Sequence, residues 1–552
     1  MKKGHRLKTA GISLALSVLA AACGTEAGGN DGKNQSSSLV LENSENAQGE
    51  QLLQSTGNTS GESEQAAQAG ESAYYTDWED VIDIDVMLMD NAKGTTEEMK
   101  ARVENALNSI TESEIKVRVH LNYINMGSYA QQISLMMSSS ESLDLLLTSP
   151  MDAAAFSALT ANNQLTEIGE LLETYGQPAL ETVGELIKGT TLEGGIYAVP
   201  VYRVLNSGLS VYIRKDILEE LDLLDQAQNV SSWDDVTELY DVILSDDKYA
   251  NMTAAAPGPG DKCFISKSGS YNAKERFSDS LTYDTLGDPN SLIAVTDGSD
   301  EVTLNYANPE YKAMIDLMAA WNEKGYIYKD ALTVEGGADL VKNNVAISAI
   351  VDTEPGAEIT SSSIYGYDML RIPVVSYPIK TSSVTSWTWA VPVTAKEPEA
   401  AIAFLSMMYT DPRISNILVW GVEGVDYEVV DGEARYIEGK EADAYHSSEF
   451  LLGNQFLLLP WEGQGKEFRE KQLESMKETP VSKYLGFTAN TESISNELSA
   501  LSVVIDEYRP ALDCGFGTEE MYEEFIEKLY ANGAQKVIDE YQAQLDTWLD
   551  GQ

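Results

Sequence analysis

Early in the chain, strand-like and helix-like patterns alternate, and this alternation constrains the fold more than any other feature. Residues 81–89 alternate and then run apolar, residues 115–124 alternate again, and residues 143–147 form a short apolar run. Between these predicted strands, Thr96 with two following glutamates predicts the start of one helix, and residues 129–137 predict another. Strand, helix, strand, helix, strand is the order of a parallel sheet with helices on its faces, so we expect an α/β fold.

The same patterns continue through the rest of the chain. The C-terminal region reads as helices, with its main break at Asn532-Gly533. Two extended segments, near 196–204 and 384–393, are natural places for the chain to pass between two α/β lobes. Further predicted strands are 208–214, 344–351 and 387–393, and further predicted helices are 216–223, 230–244, 306–326 and 397–409.

The N-terminus predicts export. Four basic residues precede residues 9–22, which carry no charge and are mostly apolar. That run is shorter than the roughly 20 residues needed to cross a bilayer, and it is typical of a cleaved export signal. Residues 19–24 (LAAACG) resemble the lipobox of bacterial lipoproteins, with Ala20 where leucine is usual. We expect cleavage before Cys23 and lipid on that cysteine; an ordinary secretory signal before a chance cysteine is the alternative.

The stretch after Cys23 predicts a tether. Residues 24–76 are dominated by Gly, Ser, Asn, Gln, Glu and Ala, with no aromatic residue before Tyr74. Such a composition does not bury enough apolar surface to offset the entropy of ordering, so the stretch is predicted to be a flexible linker with a coil span of roughly 40 Å. Lipid and linker together would hold a folded body near the outer face of the cell membrane.

Length, charge and rare residue types exclude several classes of function. A chain of 552 residues is too long for one ordinary core, so two or more domains are expected. The formal net charge of −51 disfavours nucleic acid and anionic membrane surfaces as partners. Histidine and cysteine are too scarce for a zinc site of those ligands, and the motifs of zinc proteases, α/β-hydrolases and P-loop enzymes are absent. We expect no metal and no cofactor; Cys263 and Cys514 could pair or stay free.

Four stretches resemble the family 1 extracellular solute-binding proteins of ABC importers, in particular the lipoprotein branch associated with carbohydrate uptake in Gram-positive bacteria. Each motif alone is weak, and their order and spacing carry the resemblance. The third stretch, from Lys396-Glu397-Pro398-Glu399 to the Gly421–Tyr427 turn, is the most specific. The stretches are residues 123–132 with 143–145, residues 209–223 with 232–236, residues 396–427, and the helical C-terminus.

The resemblance implies a two-lobed, periplasmic-binding-protein-like (Venus-flytrap) fold with a helical C-terminal region. Its lobes are joined by crossing strands and close on a ligand about a hinge. The implied partners are a carbohydrate ligand and the permease subunits of an ABC importer, and the protein is expected to be a monomer without a catalytic cycle. The predicted divisions are a signal at 1–22, lipidated Cys23 and linker at 23–78, one lobe from 79–200 with 391–455, and the other from 201–390 with 456–552.

Sugar binding needs flat aromatic rings against C–H faces and polar side chains that pair with hydroxyls. Ligands in such folds lie at strand ends, where loops meet the cleft. Trp387 and Trp389 differ by two residues, so in a strand they face the same side and could form a stacking platform; the alternative is that both pack against a helix. The predicted ligand-binding residues are Asp90, Asn91, Tyr129, Ser149, Tyr202, Arg203, Asp352, Glu354, Ser386, Trp387, Trp389, Trp420 and Tyr427.

Three functions are consistent with these patterns. The leading hypothesis is a membrane-anchored receptor that captures an oligosaccharide and delivers it to an ABC permease. The second is a lipoprotein glycosidase that uses two carboxylates, because so acidic a chain has many candidate pairs. The third is a binder of peptides or of another small solute on the same fold.

Overall fold

The computed structural model describes residues 74–90, 95–257, 272–273, 275–277, 283–296, 299–333 and 337–552. The predicted signal, Cys23 and most of the linker lie outside the described residues, as do Asn91 and Cys263. Residues 74–552 form a compact unit of their own. No helix in the described part of the chain is long and apolar enough to cross a membrane.

The strands of the described residues fall into two main sheets and three smaller ones. In chain order they are β1 (Ile82–Asp90), β2 (Val117–Asn125), β3 (Leu145–Leu147), β4 (Thr191–Leu192), β5 (Gly195–Ile196), β6 (Val199–Pro200), β7 (Gly208–Arg214), β8 (Thr253–Pro257), β9 (Tyr283–Asp284), β10 (Ile293–Thr296), β11 (Val302–Leu304), β12 (Ala346–Thr353), β13 (Met369–Ser376), β14 (Thr388–Ala390), β15 (Tyr427–Val430) and β16 (Glu433–Tyr436).

The helices pack around these sheets, and the longest ones lie near the two ends of the described chain. They are α1 (Glu97–Glu114), α2 (Tyr129–Ser139), α3 (Phe156–Ala161), α4 (Gly169–Tyr175), α5 (Gln177–Val183), α6 (Lys215–Glu220), α7 (Leu224–Gln228), α8 (Trp233–Ser245), α9 (Pro309–Glu323), α10 (Ala338–Lys342), α11 (Ser361–Tyr365), α12 (Thr381–Thr385), α13 (Pro398–Thr410), α14 (Pro412–Trp420), α15 (Phe468–Glu478), α16 (Ser495–Asp513), α17 (Glu519–Ala531) and α18 (Ala534–Asp550).

The first lobe is built on the sheet β2-β1-β3-β14-β6. β1 runs parallel to both β2 and β3, which confirms the parallel arrangement predicted from the early alternation. Thr96 caps α1 as predicted, because its hydroxyl accepts a hydrogen bond from the Met99 N–H at 3.2 Å. β14, which comes much later in the sequence, pairs antiparallel with β3, so distant segments of the chain share one core.

The second lobe is built on the sheet β13-β7-β12-β8, in which β12 is parallel to β8 and antiparallel to β7. β13 was not predicted. Pro373 interrupts its apolar pattern, and the pairing with β7 shifts register just after that proline. A proline lacks the N–H that a central strand needs, and β13 accordingly lies at the edge of the sheet.

The C-terminal helices complete the core of the second lobe. Phe525 and Leu529 of α17 and Tyr541 of α18 are buried in the same cluster as Tyr306 and Tyr311. The predicted break at Asn532-Gly533 separates α17 from α18, but the prediction missed a second break that separates α16 from α17.

Gly515 makes that second break. Its φ of +71° favours glycine, and a Cβ atom there would lie 2.1 Å from the Met318 carbonyl oxygen. The chain therefore turns between α16 and α17 while its backbone stays pressed against α9. Cys514, beside it, is buried in the same core.

Three segments of the described chain run between the two main cores. The first follows Val201, the second precedes Trp389, and the third follows Leu451. Parts of the predicted passages at 196–204 and 384–393 belong to the first lobe, because β6 and β14 pair within the first sheet. The observed crossings therefore lie closer to the second lobe than predicted. These crossings share a small core of Leu186, Leu205, Ile379, Val384, Met476 and Leu485.

The three crossings are also joined by backbone hydrogen bonds. The Tyr202 N–H donates to the Gly453 carbonyl at 2.8 Å, which ties the first crossing to the third. The Ile379 N–H donates to the Pro480 carbonyl at 2.8 Å, which ties the second to the third. The lobe boundaries given above remain a prediction.

The Gly421–Tyr427 turn is held by a buried carboxylate. Asp426 has no exposed side-chain surface, and it accepts hydrogen bonds from the N–H groups of Val422 and Tyr445, each at 2.8 Å. Arg102 of α1 completes the set by donating from its Nε at 3.1 Å and from Nη2. The turn is thereby fixed to α1 by an ion pair that is largely shielded from water.

Asp426→Asn is expected to lower the free energy of unfolding by about 3–5 kcal/mol, because it leaves Arg102 facing a neutral group in a buried site. Denaturant unfolding followed by tryptophan fluorescence measures the loss. Glu428→Gln is the matched control, since Glu428 forms an exposed pair with Arg435 that is worth about 0–1 kcal/mol. Equal stability of D426N and E428Q would contradict a structural role for the buried pair.

Candidate functional site

Arg203 joins the first two crossings. Its Nη2 donates a hydrogen bond to the Ser386 hydroxyl at 2.9 Å, and its Nη1 donates to the Val204 carbonyl at 3.1 Å. Ser386 in turn donates to the Ser383 carbonyl at 2.8 Å. Burial lowers the pKa of Arg203, and the charge of Glu354 opposes that shift. The structure therefore brings two sequence-predicted residues into direct contact at the hinge.

Two aromatic side chains lie beside this contact. Trp387 follows Ser386, and its carbonyl accepts a hydrogen bond from the Val201 N–H at 3.1 Å, so its backbone is fixed against the first crossing. Tyr202 precedes Arg203, and the edge of its ring meets Phe456 with centroids 5.3 Å apart. Both Trp387 and Tyr202 are half-buried at the border of the first lobe's core.

Glu354 lies just beyond the end of β12, at the same end of the second sheet as the start of β7. Its side chain is half-buried, and its carboxylate makes no hydrogen bond and no ion pair within 4.0 Å with any described residue. Burial raises the pKa of Glu354, while the charges of Arg203 and Arg469 oppose the rise. The Glu354 carboxylate thus has unused acceptor capacity and is influenced by the charges of two arginines.

The segment that includes the third crossing and the residues just before it adds two residues that the sequence did not predict. Arg469 of α15 is 5% exposed, and its Nη2 lies 2.7 Å from Glu449 Oε2. Its Nη1 donates to Gln472 at 3.0 Å, and Glu449 also accepts from Gln455 at 3.1 Å. Burial lowers the pKa of Arg469, and Glu449 and Glu354 oppose the shift.

The Glu354 and Arg469 segments pack directly on each other. The ring of Phe468 lies against Gly356, so closely that a Cβ at Gly356 would be 2.6 Å from Phe468 Cε2. The Arg469 guanidinium lies 5.1 Å from the centroid of the same ring. We call the group formed by Tyr202, Arg203, Glu354, Ser386, Trp387, Glu449 and Arg469 the hinge cluster.

Asp352 is exposed at the end of β12, two residues before Glu354. It accepts a hydrogen bond from the Tyr377 hydroxyl at the start of the second crossing. Lys380 is buried nearby; burial lowers its pKa, and the charges of Asp284 and Asp352 oppose that shift. Asp352 is therefore next to the hinge cluster along the strand, and its charge acts on Lys380.

The other predicted residues that the structure describes do not join the hinge cluster. Tyr129 and Ser149 are fully buried, and the Tyr129 hydroxyl donates to the Leu147 carbonyl at 2.7 Å. Asp90 accepts from the Thr95 hydroxyl at 3.3 Å and lies 3.7 Å from Lys100 Nζ. These side chains make contacts within the first lobe.

Trp389 is fully buried in the first lobe's core, so a two-ring platform with Trp387 does not form in this structure. The reason is that β14 lies between β3 and β6, where one face must pack against helices. The cavity beside Trp389 and Tyr123 measures about 20 Å³, room for one water molecule but not for a sugar ring.

Trp420 and Tyr427 are also buried, in a separate cluster below the Gly421 turn. The Trp420 indole N–H donates to the Leu459 carbonyl at 3.2 Å, and its ring packs against Trp461 with centroids 4.8 Å apart. Both side chains are packed inside the protein and are not part of the hinge cluster.

The hinge cluster suits a polar, uncharged ligand with apolar faces. It offers half-buried aromatic rings, an unused carboxylate acceptor and guanidinium donors within one region. Among the described residues, no group of three or more His, Cys, Asp or Glu side chains is arranged to hold a metal ion.

Arg469 and Glu449 were missed because the strand-end rule searches only loops after strands. A sequence signal for Arg469 does exist. Arg469, Gln472 and Met476 lie on one face of α15 at helical spacing, and all three are buried. A charged residue on the apolar stripe of a helix indicates a buried polar group that needs partners, and such groups concentrate at functional sites.

Two family matches cover most of the described chain. Residues 92–412 match the family described as bacterial extracellular solute-binding protein. Residues 483–550 match a domain family of unknown function, and these residues include α16, α17 and α18.

Similar proteins include carbohydrate-binding ones. A carbohydrate ABC transporter substrate-binding protein of Streptococcus pneumoniae is 25% identical over 511 residues, which cover 90% of this chain and 95% of the relative. The crystal structure of the N-glycan transport solute binding protein of the same species superposes with a TM-score of 0.71 at 21% identity, covering 86% of this chain and 99% of that one. An alginate-binding protein without calcium superposes with a TM-score of 0.53 at 15% identity, covering 86% and 100%. These structures share the two-lobed fold.

Proposed function

Because this chain belongs to the bacterial extracellular solute-binding protein family, we propose that it captures an oligosaccharide between its two lobes and delivers it to the permease of an ABC importer. The hinge cluster carries the proposal, since it holds Trp387, Arg203 and Glu354 where the crossings meet. The proposed ligand contacts are Tyr202, Arg203, Glu354, Ser386 and Trp387, with Asp352 at the margin.

Closure about the crossings couples binding to delivery. Arg203 and Ser386 lie on two different crossings and touch each other, so a ligand that binds them bears directly on the hinge. Lipid on Cys23 and the linker that follows would keep the loaded protein beside its permease and raise its local concentration there. In this proposal the protein acts as a monomer on the outer face of the membrane and has no catalytic step.

A thermal-shift panel tests the ligand class. Ligand that binds only the folded state raises the melting temperature, and saturation at about 100 times the Kd adds about 2.7 kcal/mol of stability. We expect stabilisation by at least one of Man1GlcNAc, Man5GlcNAc, kestose or maltotetraose, and none by a tripeptide pool. Stabilisation by the peptides alone would contradict the carbohydrate assignment.

The same samples test for catalysis. Each stabilising saccharide is incubated with the protein and then separated by chromatography. Recovery of the intact saccharide is the expected result for a receptor, whereas shortened products would identify a glycosidase.

A further inference from the structure

Residues 484–486, which we call the brace, lie where the C-terminal helices meet the crossings. They stand at the start of the segment that matches the domain family of unknown function, residues 483–550. Leu485 is buried in the small core that the crossings share, and Phe487 is buried in the core of the second lobe. The chain therefore passes directly from the hinge into the second lobe at the brace.

One side of the brace rests on the first lobe. The φ of Gly486 is +102°, a backbone conformation that favours glycine, and a Cβ atom there would lie 2.9 Å from the Lys188 carbonyl oxygen. Lys188 lies in sequence between Val183 and Ala198, and both of these are buried in the core of the first lobe. The backbones of the brace and of the first lobe thus approach each other directly at this point.

The second crossing completes this junction. A Cβ atom at Gly189 would lie 2.7 Å from Val384 Cγ1, so the first lobe is also packed closely against the second crossing. The Gly486 N–H donates to the Thr381 hydroxyl at 2.9 Å, and that hydroxyl donates to the Tyr484 carbonyl at 3.2 Å. The first lobe, the second crossing and the brace therefore meet in one packed junction.

The other side of the brace is held by α18. The Tyr484 hydroxyl donates to Asp300 Oδ1 at 2.8 Å. Gln542 of α18 holds the same loop, because its Nε2 donates to the Asp300 carbonyl at 2.9 Å and its Oε1 accepts from the Val302 N–H at 2.7 Å. A continuous series of contacts therefore joins α18 to the first lobe.

Lobe closure must act on this junction. Closure turns one lobe relative to the other about the crossings, and the contact between Lys188 and Gly486 lies beside the second crossing. We propose that the brace couples α18 to the first lobe, so that the C-terminal helices restrain the movement of the lobes. This inference rests on the proposed function and deepens it, because it gives the region that matches a family of unknown function a role in closure.

Hydrogen exchange of the ligand-free protein tests the coupling. Gln542→Ala removes the contact of α18 with the Asp300 loop, and Tyr484→Phe removes the hydroxyl that binds Asp300. The reporter is the Thr191 N–H of the first lobe, which donates to the Lys188 carbonyl. We expect each variant to raise the exchange rate of this amide by about 2- to 30-fold, because loss of the brace makes local opening of the junction easier.

Gln535→Ala is the matched control. Gln535 is exposed on the same helix and donates to Asp539 at 2.8 Å, just as Gln542 donates to Asp546 at 2.8 Å. Q535A therefore removes the same kind of contact along α18, and exchange of the Thr191 N–H should stay at the wild-type rate. Folded test variants with wild-type exchange of this amide would overturn the coupling.

Exchange in the presence of the most strongly stabilising saccharide of the panel tests the role in closure. Because coupling is reciprocal, binding should lower exchange of the Gly486 N–H in the wild type by about twofold or more, and the decrease should be smaller in Y484F. Saccharide binding with no change at Gly486 would overturn a role of the brace in closure. A wild type that binds no saccharide would overturn the proposed function, whereas the ligand-free exchange of the Thr191 N–H decides the coupling independently.

Discussion

Trp387→Ala is expected to weaken oligosaccharide binding by about 30- to 150-fold, which corresponds to about 2–3 kcal/mol for an aromatic side chain at the centre of a binding surface. Trp387 is half-buried next to the Arg203–Ser386 contact, and the proposed function places the C–H face of a sugar against its ring. Titration calorimetry with the saccharide that stabilises the wild type most measures the change.

Trp548→Ala is the matched control for this loss. Trp548 is also half-buried, but it lies on α18 and packs against Phe487 with ring centroids 5.9 Å apart. Its loss should reduce stability and leave affinity unchanged. A W387A protein that is folded and binds sugar as tightly as the wild type would remove Trp387 from the site.

Deleting residues 495–552 is expected to prevent the second lobe from folding, although part of this region matches a family of unknown function. α16, α17 and α18 bury Leu501, Leu512, Phe525, Leu529 and Leu545 in the core of that lobe. Each such side chain contributes about 1.5–3 kcal/mol. The loss of even five of them approaches the total stability of a typical domain, about 5–15 kcal/mol.

The same deletion would leave the buried hydroxyl of Tyr311 without its hydrogen-bond partner. Tyr311 of α9 donates a hydrogen bond to Asp513 of α16 at 2.8 Å, and Arg509 donates to Asp513 at 2.6 Å. We expect insoluble protein or the loss of a cooperative thermal transition in calorimetry. Removal of residues 551–552, which are exposed, is the control and should have no effect. A soluble 1–494 protein with a cooperative transition would show that these helices are an accessory domain.

Much of the fold could be predicted because local patterns and tertiary packing agree. The alternation in β1, β2 and β3 matches a sheet with helices on its faces, and Thr96 caps α1 where the sequence places it. β13 could not be predicted because Pro373 breaks its pattern and its partner β7 lies far away in sequence. The turn at Gly515 was missed because its requirement for glycine comes from Met318, a tertiary contact.

Part of the candidate site could be predicted from the rule that ligands lie where strands end and loops meet the cleft. That rule nominated Arg203, Glu354 and Trp387, which the structure places at or beside the crossings, and their role in binding stays a prediction. It also nominated Trp389, because a period of two does not reveal which face of a strand is covered. The rule could not predict Arg469, because this arginine lies on a helix. Its neighbour Phe468 packs against Gly356, two residues after Glu354, through a contact between segments that are distant in sequence.

The decisive measurement is a crystal structure of the protein with the saccharide that stabilises it most. We expect a sugar between the lobes, with a ring over Trp387 and hydroxyl oxygens within about 3.2 Å of Arg203 and Glu354. A saccharide bound away from the hinge cluster would show that the proposed site is wrong.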